Sequence, residues 1–256
     1  MHRVTLIAAV MLMPFITAMA EPIDWPGSAT TAISLSYDDA LNSQLDHAVP
    51  ALNEHGFRAT FYVTVGSESV RTRLDEWRTV AEQGHELGNH TIYHPCSAVG
   101  PDRAWVEPYN DLDTLSVARV RREIEIANTF LQALDGKKRR TYAATCFDEL
   151  AGGEPYWPAI EGLFAGIRDL DYGMDDGAKI VWGPDAGTDS GAELIRFVEE
   201  HAGDGRLIAI VFHGVGGDHL AVTDEAHRAL LDYLAANSER YWVDTYLNIV
   251  DYVRSR

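Results

Sequence analysis

Short β-rich runs alternate with amphipathic helical patterns along most of this chain, and that alternation limits the fold more than any single residue does. The β-rich runs are Ala32–Tyr37, Ala59–Val63, Thr141–Ala143, Lys179–Trp182, Leu207–Phe212 and Tyr241–Val243, and Gly84–Asn89 reads as a short strand and turn. The clearest helical pattern spans Leu115–Leu134. There Val120, Ile124, Ala127, Leu131 and Leu134 recur at helical spacing, while Arg121, Arg122, Glu123 and Glu125 are expected on the wet face. Asp224–Ala236 and Thr245–Arg254 repeat the pattern. Strands alternating with helices predict an α/β fold, a parallel sheet with helices outside it, open or closed into a barrel. Chemistry in such folds gathers at the C-terminal ends of the strands.

Residues 1–20 carry His2 and Arg3, an apolar run from Val4 to Met13, and Ala18-Met19-Ala20 before Glu21. This is the pattern of a secretory signal peptide, with an uncleaved anchor as the alternative. The run is shorter than the roughly 20 apolar residues of a membrane span, so no stable span is expected after signal removal. Residues 21–256 then form a single domain, a size that α/β barrels of about 250 residues reach without splitting. The formal charge of -18 argues against nucleic acid and phosphate-rich polymers as partners, and it also serves to keep an exported protein soluble. The two cysteines, Cys96 and Cys146, make no Cys-x-x-Cys pair. In an oxidising compartment an even count favours one disulfide, and two buried free thiols are the alternative.

Three motifs sit where strands are expected to end: Asp38-Asp39, His90 with His94, and His213. Each has a plain reading. An Asp pair after a strand is often a turn or helix cap. An i, i+4 histidine pair brings two imidazoles to one side of a helical turn, yet also arises by chance. A lone histidine such as His213 is more often a core group than an acid. Together, however, two histidines and one carboxylate make a three-ligand set that leaves positions open on a divalent metal. With Asp39 as ligand, Asp38 stands close enough to serve as base, and His213 is placed to serve as acid. Asp171, Asp175 and Asp176 are candidates for keeping that imidazole cationic.

The sequence Ser36-Tyr37-Asp38-Asp39, then Arg58-Ala59-Thr60-Phe61-Tyr62-Val63, then Glu86 to His94, then Ile210-Val211-Phe212-His213-Gly214, resembles the polysaccharide deacetylases, the NodB-homology group of carbohydrate esterases (family 4). The resemblance implies a distorted (β/α) barrel and removal of acetyl groups from N- or O-acetylated glycans. It implies Asp38 as base, Asp39, His90 and His94 as ligands of one divalent metal, and His213 as acid. Zinc is the default for such ligands, although cobalt, manganese, nickel or iron are also accepted. The chain departs from the family at its third motif, an Arg-x-Pro-Tyr-like stretch that here reads Thr141 to Cys146, with Ala143 where the arginine would fall. Arg168 is the candidate to supply that charge from a neighbouring strand end, and a backbone N–H near Tyr142 or Ala143 is expected to hold the oxyanion. Trp182 is the candidate for the tryptophan of the fourth motif. Pro95-Cys96 and Cys146 suggest a cysteine-bearing branch.

Trp105, Tyr109, Tyr156 and Trp157 lie in loop-like stretches and either stack on sugar faces or simply pack. Three rival readings use the same residues: a non-haem Fe(II) oxygenase, a catalytically decayed glycan-binding protein, and a structural metal site closed by a fourth protein ligand. Chitin-like oligomers, xylan, peptidoglycan and exported polysaccharides all carry acetyl groups. No motif chooses among them.

Overall fold

A strand buried on both faces belongs in the middle of a parallel sheet, and all 8 residues of Thr31–Asp38, here β1, are buried. The computed structural model describes residues 22–168, 180–183 and 190–256. After β1 come α1 (Val49–Glu54), β2 (Thr60–Val63), α2 (Glu68–Thr72), α3 (Leu74–Glu82), β3 (Glu86–Asn89) and α4 (Val117–Asp135). A small antiparallel ribbon, β4 (Leu150–Ala151) with β5 (Glu154–Pro155), precedes α5 (Trp157–Ile160). The chain closes with β6 (Ile180–Trp182), α6 (Gly191–His201), β7 (Arg206–Phe212), α7 (Asp224–Ala236), β8 (Tyr241–Val243) and α8 (Tyr246–Arg254). The expected signal segment, residues 1–20, lies outside the described residues, as do Lys179 and the three candidate supports Asp171, Asp175 and Asp176.

The large sheet is parallel throughout, in the order β3-β2-β1-β7-β6. One edge of β1 is shared: Thr31–Ile33 pair with β8, and Ser36–Asp38 pair with β2. Beyond β3, among the described residues, the sheet continues as single bridges, Asn89 to Tyr142 and Tyr142 to Ile167, so the strand expected at Thr141–Ala143 shrinks to one bridging residue. In a flat sheet Ile167 would stand four strand spacings from β1, about 19 Å, well beyond the length of an arginine side chain. Arg168 nevertheless hydrogen-bonds Asp38 at the end of β1. The sheet therefore curls on itself, which is the distorted β/α barrel form.

Helices cover the curl for local reasons. Ser116, Thr223 and Thr245 cap α4, α7 and α8 by accepting backbone N–H groups, and Ser190 with Glu193 forms a reciprocal capping box on α6. Gly136 ends α4 at φ 73, a left-handed conformation that glycine adopts without cost. Apolar faces of α1, α3, α6 and α7 pack on β1, β2 and β7. A separate cluster joins Val120 and Ile124 of α4 to Tyr142, Tyr156, Phe164 and Ile167. Tyr156 is thus a core residue and not a loop aromatic, because its ring packs in that cluster and its hydroxyl donates to the Asp148 carbonyl. Trp157 opens α5.

His85 and His227 lie within this core. The His227 Nε2 atom meets the Tyr37 hydroxyl at 2.7 Å, and His85 Nδ1 accepts the Ala59 N–H. Burial pushes their pKa values down, to about 3 for His85 and about 4 for His227. Both rings stay neutral in the fold, whereas the unfolded chain protonates them near pH 6.5. Their contribution to stability is therefore complete above pH 6.5 and lost as pH falls toward 4, at up to roughly 1.4 kcal/mol per pH unit for each ring. Urea unfolding between pH 7 and pH 5 should show this decline, with a shallower slope in His227→Gln; an identical slope in that variant would remove His227 from the account.

Candidate active site

The C-terminal ends of β1, β3 and β7 share one rim, and Asp38, the last residue of β1, stands there with 3% of its surface exposed. Arg168 Nη1 donates to Asp38 Oδ1 at 2.7 Å and Nη2 to Oδ2 at 2.8 Å, a two-pronged ion pair between buried groups. The guanidinium also donates to Ser36 Oγ and lies 4.6 Å from the centre of the Tyr62 ring. Burial alone would raise the Asp38 pKa. Arg168, aided by His90 and His213, outweighs it and keeps the carboxyl below its ordinary value.

The chain leaves β1 through Asp39 at φ 79 and Ala40 at φ 57. A left-handed backbone costs a non-glycine residue about 1–2 kcal/mol, and such strain concentrates at functional sites. Thr91 (φ 66) and His94 (φ 56) share the conformation, so His90 and His94 do not occupy a helical turn. Their loop is built by side chains instead: Asn89 Oδ1 accepts the Thr91 N–H and Thr91 Oγ1 accepts the His94 N–H. Glu123 Oε1 accepts the N–H groups of Ile92 and Tyr93. Glu123 is consequently buried at 2% exposure, contrary to its expected place on the wet face of α4.

These turns bring three ligand atoms together. His90 Nδ1 donates to the Ala143 carbonyl at 2.9 Å, which leaves Nε2 to face Asp39 Oδ1 at 3.5 Å. His94 Nε2 reaches the same oxygen at 3.0 Å. Asp39 Oδ1 is buried and receives no hydrogen bond. Two ring nitrogens and one anionic oxygen, mutually within 4.8 Å, suit a divalent cation. A second group, His94 with Cys96 and Cys146, offers no thiolate because the cysteines are bonded to each other, Cα to Cα 5.8 Å. That disulfide ties the His94 loop to the turn carrying Phe147.

His213 follows β7 and is partly buried, and burial lowers its pKa although Asp38 and Asp39 pull the other way. One buried amide joins the two strand ends: Gln44 Nε2 donates to the carbonyls of Asp38 at 2.6 Å and His213 at 3.0 Å. His219 donates from Nε2 to Asp39 Oδ2 at 2.8 Å. Burial raises the Asp39 pKa, but His219, His90 and His94 hold it well below the usual carboxylate range. Gln44, Glu123 and His219 carry no motif in the sequence and emerge only from the fold.

The oxyanion expectation fails at both positions. The Tyr142 N–H donates to the Gly166 carbonyl and the Ala143 N–H to the Asn89 carbonyl, so both are consumed by the sheet bridges. Ala143 contributes its carbonyl to His90 instead. The pocket that opens over Asp38, Asp39, His90, His94 and His213 is walled by Trp105, Phe147, Trp182 and Leu220. Trp105 lies 6.1 Å from the His94 ring and is 55% exposed, while Tyr109 is exposed elsewhere on that loop.

The family model described as polysaccharide deacetylase matches residues 27–147, and that stretch, which carries Asp38, Asp39, His90 and His94, belongs to the polysaccharide deacetylase family. The chitooligosaccharide deacetylase of Rhizobium leguminosarum bv. trifolii is 39% identical over 75 residues, 29% of this chain and 34% of that protein. The matches span between 4% and 49% of the length of such curated relatives. Among solved structures, the peptidoglycan deacetylase PdaC from Bacillus subtilis shares the fold with a TM-score of 0.53 at 19% identity, over 88% of this chain and 93% of that one. A family 4 acetyl xylan esterase from Clostridium thermocellum, solved with a cobalt ion, gives 0.53 at 17% identity over 88% and 92%.

Replacing Arg168 with Met strands a buried carboxylate, so urea unfolding should register a loss of about 3–5 kcal/mol. Arg168→Lys lacks the planar fork and should recover only part of it. A loss below about 1 kcal/mol, the worth of a surface pair, would contradict the buried ion pair.

Proposed function

We propose that this chain is an exported, metal-dependent hydrolase that removes N- or O-linked acetyl groups from a poly- or oligosaccharide, with residues 21–256 as one catalytic domain. The observation that carries the reading is the buried Asp39 Oδ1, without a hydrogen bond and faced by two imidazole nitrogens. A divalent cation held by Asp39, His90 and His94, zinc first and cobalt, manganese, nickel or iron by the same ligands, would supply Lewis-acid polarisation of a carbonyl and acidify a water.

The remaining work falls to side chains. Asp38 is ionised and keeps a lone pair on each oxygen beyond those that accept from Arg168, so it takes the proton of the attacking water. Arg168 holds the carboxylate in one orientation while it does so. His213, from the end of β7, gives a proton to the departing nitrogen or oxygen. Trp105 and Phe147 present exposed ring surface beside the ligands, suited to the apolar face of an uncharged sugar. The acidic net charge is compatible with such a neutral substrate and unfavourable to anionic polymers. Export is supported by the amino-terminal pattern and the disulfide. No helix among the described residues is long and apolar enough to cross a membrane.

A glycan-binding protein on a decayed scaffold draws its case from Ala143 in place of arginine, and Arg168 supplies the ion pair whose absence made that case. An Fe(II) oxygenase would leave Asp38 and His213 without a role. The test is acetate release from a panel of N- and O-acetylated saccharides by protein stripped with chelator and restored with Zn²⁺ or Co²⁺. Release should require the metal and fall about 10²- to 10⁴-fold in Asp38→Asn. Metal uptake with no acetate from any substrate would contradict the hydrolase and favour the binding protein.

A further inference from the structure

We propose that His219 is a positioning residue of the metal centre, its Nε2–H holding Asp39 Oδ2 so that Oδ1 alone is turned toward His90 and His94. The proposal rests on the metal-dependent reading above. A carboxylate can ligate through either oxygen or both, and rotation about its last bond interchanges them. Here the two oxygens of Asp39 are unlike. Oδ2 accepts from His219 at 2.8 Å, whereas Oδ1 has no hydrogen bond and faces the imidazoles. The donor role needs only a proton on Nε2, which one neutral tautomer and the cation both provide.

The segment that carries His219 is built to hold it in place. Gly214 donates its N–H to the His219 carbonyl, Val222 donates to the Gly214 carbonyl, and Gly216 donates to the Val222 carbonyl, closing residues 214–222 on themselves. A Cβ on Gly214 would lie 2.1 Å from the Gly217 carbonyl oxygen and 2.9 Å from that of His219, so this closure requires glycine. Asp218 Oδ2 accepts the Ser43 N–H at 2.7 Å, anchoring the loop to the chain that leaves Asp39. Asp218 (φ 64) and Leu220 (φ 47) flank His219 in the left-handed region, where non-glycine residues are strained. The side chain so presented is 56% exposed. Its ring lies 5.9 Å from that of His213, and its hydrogen bond goes to Asp39. The run Gly214-Val215-Gly216-Gly217-Asp218-His219, unused by the catalytic scheme, thereby gains a purpose.

Partners that orient a metal ligand typically contribute 10- to 100-fold in metal affinity. Zinc affinity is measured by competition with a chromogenic chelator for the wild-type chain, His219→Ala and His219→Gln, the last retaining an N–H that reaches Asp39. His219→Ala should bind zinc about 10- to 100-fold more weakly, and His219→Gln should recover most of the loss. Wild-type affinity in His219→Ala, or no recovery in His219→Gln, overturns this inference alone. A wild-type chain that takes up no zinc overturns the metal reading, and this inference with it.

Discussion

The buried ion pair between Arg168 and Asp38 is the contact on which the rest of the site depends. Removing a guanidinium and a carboxylate from water is costly, and only near-ideal geometry with further hydrogen bonds offsets it. Both prongs are short, Ser36 takes a further donor, and the guanidinium lies against the Tyr62 ring. That geometry is available only when the edge carrying Ile167 has curled back over the end of β1. The charge pair and the sheet curvature therefore require each other, and the position of Asp38 relative to its neighbours follows from both.

From that fixed point, polar contacts outside the ligand set hold each functional group. Gln44 locks the ends of β1 and β7 together, which relates Asp38 to His213. Glu123 reaches from α4 to the loop of His90 and His94, and the Ala143 carbonyl fixes the tautomer of His90. The left-handed residues Asp39, Thr91 and His94 show where backbone strain is held in place by these contacts. The same arrangement sets Asp38 and Asp39 among four imidazoles, those of His90, His94, His213 and His219, and the Arg168 guanidinium, which together hold both carboxyls below their ordinary pKa against the effect of burial.

Much of the fold could be read from periodicity. The Asp224–Ala236 pattern coincides with α7, and the β-rich runs at Ala32, Ala59 and Leu207 fall on the three central strands, because burial on one or both faces leaves its period in the sequence. What escaped reading is long-range or local competition. The i, i+4 spacing of His90 and His94 mimics a helix, but the Asn89 and Thr91 side chains satisfy the backbone in another way. Glu123 looks like a wet-face residue until its partners on another loop are known. Arg168 and Asp38 are 130 residues apart, and only the family's expectation of an arginine near the base drew attention to Arg168. The Tyr142 and Ala143 N–H groups look free for an oxyanion because a motif position does not reveal that its N–H is committed to a neighbouring strand. His219 had no signal beyond the glycines before it.

In the proposed enzyme Asp39, His90 and His94 form the metal centre. X-ray absorption at the zinc edge, on protein loaded with one equivalent of Zn²⁺, tests it most directly. Ligation by Asp39, His90 and His94 predicts a shell of nitrogen and oxygen only, near 2.0–2.1 Å, with an imidazole signature that weakens in His90→Ala. Sulfur near 2.3 Å would place the ion at Cys96 and Cys146, and either that result or an unchanged spectrum in His90→Ala would contradict the account.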